Sequence, residues 1–417
     1  MNIIRLQPDI TGTVAWPTLS ASKKSVVTVG VFDGVHRGHQ SVIKETVRIA
    51  KREKCFSVVI MFDPRPAFVH AYAAKNGGME PTSDVQDTQK ITGVDERLRM
   101  MNALHVDYVL IVRYDLEFAA KSFRFFLGQL VGKLGMRTLV LGEDARLGAN
   151  LEGPVESIGQ LAEGTGVFEL VVVPDHGGHV FVPQQAAPRM PEGRGEPADP
   201  FEGLNKAEQR ALTKRLNSKK VRVLSSTNVR WLLGQGRIMA ANDVLGHTHG
   251  VEGTVVHGEE RGRTIGFPTA NVETPIDGYL PVDGVYAGWL IDLGPADEYE
   301  ESQRAYSEAP EAGAEPISQQ YTSGGVENRL AEHSPYRWPA AISIGRKPTF
   351  NEQSGHDERV LEAYALTDDW LELYGHHVRC EFVGFLRPQI KFDSADDLAA
   401  ELKRNADETR ALTSRAS

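Results

Sequence analysis

A chain of 417 residues, 41% hydrophobic and 24% charged, has globular composition with enough apolar residues for real cores, and its length fits two or three domains. A formal net charge of -10 argues against a nucleic-acid-binding surface spread over the protein, so phosphate-bearing ligands need local cationic or backbone N–H sites. No run of 18 or more apolar residues occurs and MNIIRLQPDI lacks an apolar leader, so neither a membrane span nor a signal peptide is expected and the location is expected to be cytoplasmic. Cys55 and Cys380 stand far apart and outside any CxxC pair, the pattern of two buried free thiols.

In chain order, Ser25–Gly30 is a short apolar run ending in glycine and predicts a buried strand. Val42–Ala50 carries Val42, Ile43, Val47 and Ala50 on a helical period. Phe56–Phe62 reads as a strand, Glu96–Leu104 as a helix, Tyr108–Val112 as a strand and Ser122–Leu134 as a helix. Strands at Thr138–Gly142 and Phe168–Val173 complete an α/β pattern with a parallel sheet. After about Gly246 the rhythm changes to short β-branched and aromatic runs between turns, GTVVHG, TANVE, GVYAGWL, AAISIG, RVLEAYAL and HHVRCEFVGFL. Closely spaced strands without intervening helices predict a small barrel. A final helix starts near Ala395, with Ser394 and Asp397 as a capping box. The expected fold is therefore a Rossmann-like α/β domain over residues 1–245 and a small β-barrel with a terminal helix over 246–417. Three polar segments, Ala71–Asp95, Pro183–Lys220 and Asp297–Trp338, read as insertions, and the third is expected to be disordered because it offers little to bury.

The segment Gly30–Gln40, GVFDGVHRGHQ, joins the end of a strand to the start of a helix, where α/β sheets bind ligands. Gly30, Gly34 and Gly38 let backbone approach a phosphate, the helix start offers unpaired N–H groups, and His36 and His39 can donate to a triphosphate. HxGH after a strand resembles the nucleotidylyltransferase superfamily, and GxFDGxHxGH its FAD synthetase branch. A second signature, Leu224–Arg230 (LSSTNVR), is an ordinary N-cap when taken alone, but fits that family's (I/V)SSTxxR. The resemblance implies that Gly30, Phe32, Asp33, Gly34, His36, Gly38, His39, Ser225, Ser226, Thr227 and Arg230 bind ATP, with His36 and His39 catalytic. Phe62–Pro66 and Gly142–Gly148 also look like family segments. Departures fall at Arg65, where the family often has His; at Ala145 and Leu147, where aromatics are common; and at Asn228, where Arg is common.

Downstream, Gly253–Glu273 (GTVVHGEERGRTIGFPTANVE) contains no Walker-type P-loop. Its GxxxGRxxGFPTAN resembles the riboflavin kinase family, although PTAN alone is equally an ordinary strand–turn. The resemblance implies ATP binding by Gly262, Arg263, Pro268, Thr269 and Asn271, with Thr269 and Asn271 meeting Mg2+. Arg359–Leu366 (RVLEAYAL) matches the strand of the family's catalytic base, which falls on Glu362. A carboxylate inside an apolar strand is hard to explain as packing, unless it faces outward on an edge. Asn271, Glu362, Arg387 and Phe392 are implied in flavin binding. Ser343 stands where Asn is common and Gln389 where Glu is usual.

The two motif sets, in this order, resemble bifunctional riboflavin kinase/FMN adenylyltransferase. The implied substrates are riboflavin, FMN and ATP, with Mg2+ as cofactor and no nucleic-acid or membrane partner; an oligomer is compatible with the sequence but not indicated. Alternatives are an enzyme with one active half, a different nucleotidylyltransferase such as one acting on pantetheine phosphate, and a non-catalytic flavin-binding module.

Overall fold

The computed structural model describes residues 1–175, 177–183, 190–257, 269–307, 318–322, 325–346 and 359–416. Its internal contacts group the chain into two compact units, Met1–Gly177 with Glu301–Ser323, and Gly178–Glu300 with Gly324–Ser417.

The first unit holds β1 (Asn2–Leu6), β2 (Ser25–Val29), β3 (Phe56–Phe62), β4 (Tyr108–Val112), β5 (Met136–Gly142), the short hairpin β6 (Arg146–Leu147) and β7 (Gly153–Pro154), and β8 (Glu169–Val173). The second contributes β9 (His179–Pro183), β10 (Ser218–Arg222), β11 (His249–Val256), β12 (Ala270–Val272) and β13 (Gly284–Pro295). The chain then gives β14 (Ser318–Gln320) to the first unit, and β15 (Arg337–Arg346), β16 (Arg359–Ala365) and β17 (His376–Arg387) to the second.

Seven strands of the first unit form a sheet in the order β14-β1-β4-β3-β2-β5-β8. Every pairing is parallel except β14 on β1. All five residues of β2 are buried, as expected of a central parallel strand covered on both faces. The helix Arg37–Glu53 lays Ile43, Val47 and Ala50 inward at i, i+4 and i+7. On the other core, helix Phe123–Leu134 buries Phe123, Phe126, Leu127, Leu130 and Leu134, each contributing roughly 1.5–3 kcal/mol. These strands and helices match the sequence reading; β1 and β14 were not foreseen.

In the second unit six strands close a barrel in the order β11-β12-β16-β15-β13-β17. Gly288 sets how closely β13 approaches β17, because a Cβ there would lie 1.8 Å from the Glu381 carbonyl oxygen. The helix Ala395–Ala416 packs on β13, β15 and β17. Ser394 caps its start by accepting the Asp397 N–H at 3.1 Å, and the Ser394 hydroxyl in turn donates to the Asp397 carboxylate.

The polar segments are more ordered than composition implies. Within Asp297–Trp338, a helix spans Ala296–Ser307 and another Val326–Leu330, and β14 lies between them. Tyr299 and Val326 are buried against Ile291 and Leu293, with Leu330 beside them, so a few apolar residues suffice to fix a polar stretch. Residues 308–317 and 323–324 lie outside the described residues. Within Pro183–Lys220, Lys206–Arg215 is a helix with a full capping box at Asn205 and Glu208, and β10 pairs with β9.

Candidate active sites

In the first unit the strand-to-helix turn is assembled as the spacing predicts. His36 is the N-cap of Arg37–Glu53 and its Nδ1 accepts the His39 N–H at 3.4 Å, which leaves its ring proton on Nε2. The two imidazoles stack at 3.6 Å with 21° between planes, and Phe32 meets His39 edge-on. Burial, then the charges of His36 and Arg97, hold the His39 imidazole well below its ordinary value. His39 Nδ1 is sealed from solvent and has no hydrogen-bond partner among the described residues. A pair of imidazoles at a helix start can donate to phosphate oxygens without needing a formal charge of their own.

The turn itself is bent. Gly34 has φ +82°, and the non-glycine Phe32 and Val35 have φ +51° and +37°. Such residues cost about 1–3 kcal/mol each and persist only where their surroundings hold them. Here Asp33, 2% exposed, accepts the Ile91 N–H at 2.7 Å and the Thr92 N–H at 3.4 Å, while Gly34 N–H donates to Thr92 Oγ1 at 3.0 Å. Residues 87–92 thus strap the turn, although the sequence placed them in an insertion. The fully buried Arg97 donates to the carbonyls of Gly93, Val31 and Phe62, and lies 3.5 Å from Asp63. Asp87, Thr92 and Arg97 belong to no motif. The one hint was an arginine beside Leu98 on a helix with a buried face.

The departures have structural partners. Arg65 forks onto Asp87 with Nε and Nη2 at 2.6 and 2.8 Å. Ala145 and Leu147 pack against the core that holds Phe123. Asn228, 4% exposed, donates Nδ2 to the Val223 carbonyl at 2.9 Å. It lies in the helix Ser226–Leu233, whose N-cap Ser225 accepts the Asn228 N–H at 3.2 Å; Ser226 and Thr227 open that helix and Arg230 follows one turn on. His36 and His39 belong to the first contact unit, Ser225–Arg230 to the second.

In the barrel, β12 and β15 flank β16 on either side, so Glu362 is not on an edge strand. Cross-strand register sets Glu362 opposite both Asn271 and Ser343. Directly opposed residues share a face, so these three form one polar row. It is the outward row, since Leu361 and Ala363, the neighbours of Glu362 along the strand, are fully buried. Gln389 ends the row, donating Nε2 to Ser343 Oγ and to the Ile344 carbonyl, both at 2.9 Å. Two residues along on the same face come Thr269 and Tyr364, which line a cavity of about 390 Å3 together with Trp370 and Tyr374. Gly262, Arg263 and Pro268 lie outside the described residues. Arg387, 4% exposed, is held on the terminal helix by Glu401 at 3.0 Å and Asn405 at 3.4 Å, and its guanidinium lies 5.6 Å from the Phe392 ring. Burial lowers Arg387 below its ordinary value against the pull of Glu401.

A parallel-sheet domain with a histidine pair at a helix start, followed by a six-stranded barrel bearing an outward polar row centred on one carboxylate, has the features of a two-domain transferase. The FAD synthetase family model matches residues 18–180 and the riboflavin kinase family model matches residues 245–413. A bifunctional riboflavin kinase/FMN adenylyltransferase of Listeria monocytogenes is 28% identical over 99% of this chain and 98% of its own length. The protein of the same name from Escherichia coli K12 is 28% identical over 91% and 90%. The crystal structure of a macrolide-efflux protein from Streptococcus pneumoniae superposes with a TM-score of 0.63 at 22% identity, covering 98% of this chain and 99% of that one, a likeness of fold. The chain belongs to the bifunctional riboflavin kinase/FMN adenylyltransferase family. Among the described residues no helix is long and apolar enough to cross a membrane.

Proposed function

We propose that this enzyme makes both flavin coenzymes with two separate sets of side chains, using residues 1–245 to adenylylate FMN and 246–417 to phosphorylate riboflavin. The observation that carries the reading is the row Asn271–Glu362–Ser343 on one face of the barrel, beside a cavity that Thr269 shares.

In the kinase, Glu362 takes the proton of the riboflavin 5′-hydroxyl while that oxygen bonds to the γ-phosphorus of ATP and the bond to the β-phosphate oxygen breaks, leaving ADP. Asn271 sits one strand away to orient the reacting groups. Thr269, Tyr364, Trp370 and Tyr374 offer the nucleotide a pocket with aromatic walls. Thr269 and Asn271 supply neutral oxygens, a donor set that fits Mg2+ when phosphates bring the negative charge. When bound, the ion would neutralise charge on the triphosphate. Arg387 and Phe392 belong to the flavin side of this reading, Arg387 being held by the terminal helix.

In the adenylyltransferase, an FMN phosphate oxygen bonds to the α-phosphorus of ATP as pyrophosphate leaves. The nucleophile is already ionised, so positioning and charge stabilisation dominate. The Gly30–His39 turn cradles phosphates, and His36 and His39 donate to them; the helix start at Ser225, Ser226 and Thr227, with Arg230 one turn on, likewise has the donors a phosphate group needs. A cytoplasmic location fits the ATP requirement and the two unpaired cysteines.

Chromatography of products from riboflavin, ATP and Mg2+ tests the reading. FMN followed by FAD is the expected result. FMN alone would mean a dead transferase, FAD only from added FMN a dead kinase, and no turnover a binding module.

A further inference from the structure

We propose that Arg65 and Asp87 form a positioning clamp that holds the ATP phosphate turn of the adenylyltransferase in its bent conformation. This rests on the reading of Gly30–His39 as the phosphate site.

Phe32 and Val35 lie in the left-handed region with Gly34 between them. The Val35 N–H donates to the Phe32 carbonyl at 3.1 Å, and the Ile91–Thr92 strap adds three hydrogen bonds to Asp33 and Gly34. The strap is itself tied down. Its other end is Asp87, whose two carboxylate oxygens receive the Arg65 fork. The third guanidinium nitrogen, Nη1, lies 3.7 Å from Asp33 Oδ2. One guanidinium thus faces the carboxylate of the turn and the carboxylate of its strap at once. Arg65 is 7% exposed and Asp33 2%, so the guanidinium sits in a buried setting where the Asp87 fork and the nearby Asp33 carboxylate balance its charge. Burial works against the charge of Arg65, but the Asp87 hydrogen bond and the charges of Asp33 and Asp87 outweigh it and raise its pKa above the ordinary value. The planar fork matters, because a lysine could answer either carboxylate but not both in this geometry.

The consequence is specific. Helix Arg37–Glu53 and His36 follow the turn directly, so a relaxed turn misaims the N–H groups and imidazoles that meet ATP. Arg65 acts through the turn and touches no substrate.

The test measures FAD formation with ATP and FMN varied separately, in the full chain, for Arg65→Lys, Asp87→Asn and the double variant. FMN formation from riboflavin in the same samples reports folding of the barrel, and thermal unfolding of each variant reports folding of the sheet domain. Each single variant is expected to raise KM for ATP about tenfold with KM for FMN nearly unchanged, and the double variant to be no worse than the worse single. If Arg65→Lys raised KM for FMN while Asp87→Asn behaved as wild type, Arg65 would be a substrate ligand and the clamp would fall. Independent, multiplying effects would also overturn it, as would wild-type kinetics throughout. Should the charge variants not fold, Thr92→Val decides: it removes only the acceptor of the Gly34 N–H and should raise KM for ATP severalfold, with Thr92→Ser restoring it. An unchanged Thr92→Val overturns the proposal. Wild-type protein that makes no FAD at all would instead sink the phosphate-site reading beneath it.

Discussion

Ser343 and Gln389 are two departures from the family pattern that the barrel joins into one change. Where Asn and Glu are common in that pattern, the Asn would donate and the Glu accept; here Gln389 Nε2 donates and Ser343 Oγ accepts, at 2.9 Å. The polarity of the contact is reversed, one strand from Glu362. Gln389→Glu alone would point an acceptor at the Ser343 hydroxyl and at the Ile344 carbonyl, which now receives the amide. We expect it to lower kcat/KM for riboflavin about tenfold, the scale of a lost hydrogen bond near a charge. The pair Ser343→Asn with Gln389→Glu should recover most of that. A double variant as poor as the single would show that the two residues are unrelated. His249 makes a different kind of prediction. It is fully buried on Phe382, with Nε2 donating to the Tyr279 carbonyl at 2.7 Å. Burial, against the pull of that carbonyl, and the charges of Arg379 and His247 lower it from 6.5 to about 3. As pH falls below 6.5 the unfolded chain takes up a proton that the folded barrel refuses until about 3. Its share of stability is therefore complete above pH 6.5 and drains away through that window, by at most ~1.4 kcal/mol per pH unit. His249→Gln keeps a donor for Tyr279 and removes the titration. Urea unfolding of the two proteins across that window should show the variant losing less stability in acid; parallel curves would contradict the assignment.

At the level of elements, periodicity made the central sheet and the barrel legible, because buried strands and amphipathic helices leave long, regular signals. It failed where few residues do the work. The segment at 297–338 has little apolar content, yet Tyr299 is 7% exposed, stacks on His377 at 4.0 Å and donates its hydroxyl to Glu252 at 3.1 Å. Glu252 is shared with Arg379 at 3.0 Å, so the first turn of a polar helix plugs into a buried charge network of the barrel. Composition averages over a segment and cannot see one aromatic with a prepared seat. The same blindness hid the strap at 87–92, where polar side chains serve other residues' backbone. We expect Tyr299→Phe to destabilise the barrel by about 1–3 kcal/mol, the cost of taking a donor from a buried carboxylate, and Tyr299→Ala by more. Thermal unfolding followed by loss of kinase activity reads this directly. An unmoved midpoint for Tyr299→Ala would return the segment to the disorder its composition implies.

For the molecule as a whole, the sequence carried both chemistries because each is written in short motifs, GVFDGVHRGH in one half and PTAN with RVLEAYAL in the other. It did not carry how the chain is shared out, since the second contact unit begins at Gly178 and is interrupted by Glu301–Ser323. Thr269, Asn271 and Glu362 belong to the second contact unit and His36 and His39 to the first, while Ser225–Arg230 also lies in the second. The reading of two separate chemistries is tested by one variant in each set. Glu362→Gln keeps the size of the side chain on an outward, half-buried position and removes only its basicity. It should abolish FMN formation from riboflavin and leave conversion of supplied FMN to FAD near the wild-type rate. His36→Ala with His39→Ala should do the reverse, so that riboflavin is phosphorylated and FMN accumulates. The two variants mixed in one tube would then make FAD from riboflavin, because free FMN can pass from the chain that forms it to the chain that consumes it. If Glu362→Gln stopped both reactions, or the mixture yielded no FAD while each variant kept its own activity, the two centres would have to be coupled within one chain rather than merely joined in it.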